Sequence, residues 1–161
     1  MARIEEDAYF GGTLQAKTLV PSDGCITNAA VVAAAGIAAS KLQHRHRPFY
    51  SQTGNAAAAT VAIHVVRGAT GVLNAFAAGS VAKAAGNATV TVDLKKAGSS
   101  ILTGVITLDS GNTNRVMEAG TLSNSAVAVG DFLEVVVTAD VGTGTLPTGL
   151  HVALEVDEAA A

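Results

Sequence analysis

The chain has no tryptophan, two tyrosines, four phenylalanines, three prolines and one cysteine, and only 14% of its residues are charged. Each scarcity removes a class of protein. A single cysteine, Cys25, rules out an internal disulfide framework and a cysteine-rich zinc site. With so few large aromatics there is little to stack on the face of a sugar ring. Ten basic residues against thirteen acidic ones leave no positive excess of the kind a nucleic-acid binder needs. The longest apolar run, Ala29 to Ala39, is mostly alanine and falls short of the about 18 residues a membrane-spanning helix requires. Arg3 is followed closely by Glu5, Glu6 and Asp7, so no cationic start leads into a leucine-rich signal segment.

What remains is a chain of small side chains. Alanine occurs 32 times and glycine 17 times in 161 residues. Low charge with so many small residues suggests that some surface is covered by other copies or by a partner.

Composition divides the chain into an arm and a body. Residues 1–50 carry five basic and four acidic residues, whereas residues 51–161 carry five and nine. The first stretch shows no strand-like alternation, turns at Gly11-Gly12 and turns again through Pro21-Ser22-Asp23-Gly24. It cannot build a core alone and is expected to lie along a partner as an extended arm, residues 1–25. Thr27 and Asn28 are good N-caps for a short helix over Ala29–Ala39, although Gly36 weakens it by about 1 kcal/mol relative to alanine. Its narrow stripe of Val31 or Val32, Ala35, Ile37 and Leu42 suits close self-packing around an axis. Lys41 to Arg47 then form a basic patch stopped by Pro48, so residues 26–54 read as helix and basic linker.

From Thr60 onward the hydrophobic period is two, the signature of strands. Val61, Ile63 and Val65 alternate with polar or small residues, as do Val90, Val92 and Leu94. Lys95 to Ser99 is a hairpin loop into Ile101–Leu108, and strands are expected also at 72–76, 115–118, 132–137 and 150–156. Short strands joined by glycine-rich turns, with no helix between them, predict an antiparallel β-sandwich or jelly roll over residues 55–161.

Catalytic patterns are missing. There is no Gly-x-Ser-x-Gly, and Gly142-Thr143-Gly144 opens no helix because Pro147 follows. Asp93, Asp109, Glu118, Asp131 and Glu134 read as solvated faces of the sheets, and Cys25 as a small residue before a helix cap. His44 and His46 form a His-x-His pair that could donate two nitrogens to a metal. No Cys, Asp or Glu follows within several residues to complete a site, so no metal and no cofactor is expected. His64 and His151 fall at outward-facing strand positions, where a solvated or hydrogen-bonded histidine is the ordinary case.

Ile26-Thr27-Asn28-Ala29-Ala30, followed by Ile37-Ala38-Ala39-Ser40-Lys41-Leu42, resembles a segment of tailed-bacteriophage structural proteins. Gly86 to Gly98 with Ser100-Ile101-Leu102-Thr103 is similar to small β-domains of phage virions. Over residues 26–42 and 86–108 the chain therefore looks like a phage capsid decoration (cement) or head-fibre protein. That resemblance implies a structural protein on the exterior of the virion, made in the host cytoplasm, without enzymatic activity. It implies a homotrimer seated on the major capsid protein, with the arm reaching across neighbouring subunits. The partner-binding residues are then Ile4, Tyr9, Phe10, Leu14, Leu19 and Val20 in the arm, with Lys41, His44, Arg45, His46 and Arg47 in the basic patch. No nucleic-acid or membrane partner is expected. The alternative is a carbohydrate-binding or host-adhesion module of a phage fibre.

Overall fold

The computed structural model describes residues 43–159. The expected arm, the alanine-rich helix and, with them, Ile4, Tyr9, Phe10, Leu14, Leu19, Val20 and Lys41 lie outside the described residues. The described part is all-β, with eleven strands: β1 (Gln43–His46), β2 (Phe49–Ser51), β3 (Ala59–Val65), β4 (Thr70–Ala82), β5 (Thr89–Lys96), β6 (Ser99–Ser100), β7 (Ile106–Leu108), β8 (Met117–Ala119), β9 (Ala126–Ala128), β10 (Phe132–Asp140) and β11 (Thr148–Ala159).

They form two antiparallel sheets. The first runs β1-β11-β4-β8, with β2 also on β11 and β9 also on β4; the second runs β3-β10-β5-β6, with β7 also on β5. The short pieces therefore share edges: β1 and β2 follow one another along β11, β6 and β7 along β5, and β8 and β9 along β4. With each such pair counted as one strand, the order is one–eight–three–six in the first sheet and two–seven–four–five in the second. Jelly rolls are wound in this order.

The inner faces share one core. Leu73, Phe76, Leu150, Val152, Leu154 and Val156 from the first sheet meet Val90, Val92, Leu94, Leu133, Val135 and Val137 from the second. Alternation puts these residues there, since every second side chain of a strand points the same way, with one break: Asn74 is an extra residue of β4 opposite β11, so Leu73 and Phe76 share the inner face. The hairpin between β5 and β6 turns through Ala97 (φ 49°) and Gly98 (φ 80°), the two positive-φ residues of a type I′ turn.

Three expectations change. The segment 43–54 is not a linker before the body: β1 and β2 are strands of the first sheet, so the sheet begins well ahead of residue 55. Their short lengths and the charged Gln-His-Arg-His run conceal this, because edge strands need no apolar alternation. The expected strand 101–108 is interrupted: only Ile106–Leu108 joins β5 as β7, and Leu102 makes a lone bridge to Leu122. Conversely, β4 is longer than the expected 72–76: it runs from Thr70 to Ala82, and its small residues Ala77-Ala78-Gly79-Ser80 pair along β11.

Candidate functional site

The two outer faces differ in kind. On the second sheet, register places Thr60, Thr91, Asp93, Lys95, Glu134 and Thr138 outward, along with Val136 and the exposed Phe132. On the first sheet, Ala75, Ala77, Gly79, Ala119 and Ala153 make a flat centre of very small side chains. Around that centre stand Phe49 (65% exposed), Val72, Val81 and Met117. Phe49 stacks on His151 with ring centres 5.5 Å apart. A shallow depression lined by Ala75, Ala77, Ala153 and Leu154 lies between this face and the Arg47–Glu155 pair.

The two arginines of the basic patch are charge-matched within the chain. On β1, Arg45 faces Asp157 of β11; its Nε donates to Oδ1 at 2.7 Å and its Nη2 to Oδ2 at 2.8 Å. Arg47 Nε donates to Glu155 Oε2 at 2.9 Å, and Arg45 Nη1 lies 3.4 Å from Glu155 Oε1. Two guanidinium groups thus stand over two carboxylates. The hydrogen bonds from Arg45 hold the Asp157 carboxyl down at about 2, below the usual carboxylate range.

Behind this pair, at the edge where β1 and β3 approach, lies a second cluster. The buried positions of β11 alternate through Leu150, Val152, Leu154 and Val156, and the next step lands on Glu158, 3% exposed. A carboxylate there demands partners. Its Oε2 accepts the backbone N–H groups of Arg67 at 2.9 Å and Gly68 at 2.6 Å, and its Oε1 bonds His64 Nε2. Position 68 must be glycine for this approach, since a Cβ would strike the Ala159 carbonyl and come within 2.9 Å of the Glu158 Cβ. Burial weighs most on the carboxyl and favours its neutral form. The bonds from His64, Gly68 and Arg67 together outweigh it, so the pKa lies below the ordinary value.

His64 reaches Glu158 because of a β-bulge. The register of β3 on β10 runs Leu133↔His64 and then Glu134↔Ala62, leaving Ile63 as the extra residue. Ile63 packs against the core, and the bulge turns His64 to the same inner side, where its side chain is 14% exposed. The expected outward histidine is therefore an inward one, bonded across the two sheets. His46 on β1 lies beside it, with ring centres 5.2 Å apart and planes tilted by 39°. His44 pairs with Glu158 in the β1–β11 register. Among the described residues, no three side chains of metal-ligating type are gathered around one point.

The sequence shows this cluster only in part. His44 and His46 stood out as a pair, whereas Glu158 and His64 were missed as their companions. Continuing the Leu150–Val156 alternation by one step would have identified Glu158. Nothing in the sequence marks the bulge.

Acid sensitivity follows from the two lowered carboxyls. Their ordinary values are 3.8 and 4.5, and each is lower when folded, so the unfolded chain binds more protons in acid. Their contribution is complete above those ordinary values and is lost as pH falls, for Asp157 through about 2. The urea midpoint is expected to fall steadily below about pH 4.5, and Asp157→Asn should flatten the acid end of that slope. An unchanged slope in the variant would show that the Arg45 pair contributes nothing to it.

No protein-family model matches the chain, and no curated protein matches it. Among solved structures, a chain of Desmodium yellow mottle tymovirus aligns over 99% of this chain and 96% of its own, at a TM-score of 0.35 and 10% identity. A likeness of that size carries no weight for fold or function.

Proposed function

We propose that this is a structural virion protein that decorates a bacteriophage capsid as a homotrimer and performs no catalysis. The observation that carries the reading is the contrast between the outer faces of the jelly roll. One is largely threonine and charged residues, with Val136 and the exposed Phe132 among them; the other has a flat, alanine-lined centre rimmed by Phe49, Val72, Val81 and Met117 and by the Arg45/Arg47–Glu155/Asp157 pairs. The small-residue centre with its apolar rim is the surface best suited to close contact with another protein. Jelly rolls serve viral capsid and lectin domains alike, so the fold by itself decides nothing. The sequence resemblance over 26–42 and 86–108 favours the virion, and within the body its second segment falls on β5, β6 and β7 of the second sheet.

On this reading residues 1–25 bind the major capsid protein, with Ile4, Tyr9, Phe10, Leu14, Leu19 and Val20 as apolar anchors. Arg45 and Arg47 already face Glu155 and Asp157, so their substitution removes little charge that a partner could use. Exposed ion pairs contribute about 0–1 kcal/mol each. Desolvated aromatic anchors contribute more, commonly about 2 kcal/mol or above.

Purified protein added back to capsids stripped of it tests the reading. Tyr9→Ala with Phe10→Ala should weaken attachment by at least about tenfold, and Arg45→Ala with Arg47→Ala by no more than a few-fold. Light scattering should give about three times 16.0 kDa in solution or on release. Failure of the wild-type protein to rebind would overturn the capsid assignment. A larger loss from the arginine pair would instead place the contact in the β1 edge.

The rival reading, a glycan-binding or adhesion module, has the exposed Phe49 ring in its favour. Against it, the polar depression lined by Thr103, Thr107, Glu118 and Thr121 contains no aromatic platform. Binding to a glycan array by protein that fails to rebind capsids would select it.

A further inference from the structure

The outer face of the first sheet carries both a projection and a hollow able to receive one. We propose that copies of the chain meet through this face, with Phe49 of each copy seated in the alanine-lined depression of the next. The inference rests on the proposed homotrimer and names the surfaces that close it.

Phe49 stands on β2, which pairs with β11 alone, and it is 65% exposed. Its ring rests on His151, which holds it in place without covering it. The residues that follow it, Tyr50, Ser51 and Gln52, carry no charge. The depression is lined by Ala75, Ala77, Ala153 and Leu154, with Arg47 and Glu155 at its rim. Its volume is about 180 Å³, and about 150 Å³ is enough to take a benzene ring. Methyl-sized walls let an incoming ring approach the sheet closely, and a guanidinium at the rim attracts the face of that ring. Projection and hollow therefore match in size and in polarity, and one chain supplies both.

The rest of the face suits the same occupant. Four strands about 4.8 Å apart, with a central β4 of 13 residues rising about 3.3 Å each, give it about 750 Å². One partner contributes about 800 Å² to a standard interface. Val72, Val81 and Met117, exposed on the isolated body, extend the apolar contact. Arg45, Arg47, Glu155 and Asp157 are already paired with one another, so covering the face strands no charge. An uncharged edge such as β2 is the counterpart such a surface requires. Because projection and hollow are different patches, the contact is head-to-tail, and a rotation of a third of a turn closes it at three copies.

Light scattering of the full chain from about 1 to 100 µM, with circular dichroism on the same samples, tests this. The wild type should have three times the 16.0 kDa of one chain. Phe49→Ala removes the projection and Ala75→Arg fills the hollow; each should raise the concentration at which trimers form by at least about tenfold. Both positions are exposed, so both variants keep the fold. Phe132→Ala, at a phenylalanine 53% exposed on the second sheet, should assemble as the wild type does. A wild-type trimer that either face variant leaves unchanged overturns the inference while the homotrimer stands. A wild type that stays monomeric throughout also overturns it, and rebinding to stripped capsids then decides the capsid reading separately. If Ala75→Arg still forms trimers but no longer rebinds capsids, the face belongs to the capsid protein and the inference falls.

Discussion

Replacing Glu158 by alanine is expected to destabilise the body by about 3–5 kcal/mol, read as a lower urea midpoint at neutral pH. The side chain lies in the phase of the core, 3% exposed, and accepts from His64 and from two backbone N–H groups. Alanine leaves all three donors without a partner in a space water does not readily enter. The two backbone groups are the costlier loss, since Arg67 and Gly68 have no rotamer with which to find another acceptor. Glu158→Gln separates charge from shape. Its amide oxygen still accepts from the backbone, while its NH2 requires the other tautomer of His64, so the loss should be about 1–2 kcal/mol. If alanine costs less than about 1 kcal/mol, the carboxylate does not hold the two sheets together at this edge.

Phe76→Ala is expected to cost about 3–5 kcal/mol, and Phe76→Leu about 1–1.5 kcal/mol, by the same measurement. Phe76 is 1% exposed, whereas Phe49 and Phe132 are 65% and 53% exposed. Among the described residues it is the largest fully buried side chain, in a core otherwise built from leucine, valine, isoleucine and alanine. Gly120 lies over the ring; a Cβ there would come within 3.1 Å of it, with Ile106 and Leu102 at 3.3 Å. Truncation therefore opens a cavity beside a residue that has no side chain with which to fill it. A loss below about 2 kcal/mol would mean that β4 and β8 close around the gap.

The long strands were legible because burial on one face imposes a period of two. Thr89–Lys96 alternates without a break, and Leu150–Val156 does so again, so both were found with their inward faces correctly assigned. The edges were not legible. Gln43–His46 and Phe49–Ser51 present too little apolar surface to show any period, although they border the strand that carries Glu155, Asp157 and Glu158. A bulge is harder still, because one extra residue reverses every later side chain of its strand. Ile63 does this on β3, and that single residue decides whether His64 meets water or Glu158. The basic patch was misread for a related reason: the carboxylates that neutralise Arg45 and Arg47 lie more than a hundred residues away in the chain.

The pairing of Gln43 with Ala159 also sets how the body responds to force. Tension applied between these two residues pulls on the open end of an antiparallel pair, whose hydrogen bonds lie along the pull. Each bond is loaded in turn, and β1 peels from β11 like a zipper. A load that enters through Gln43 and leaves through Ala159 therefore strips β1 from β11 before it reaches the paired sheets of the core.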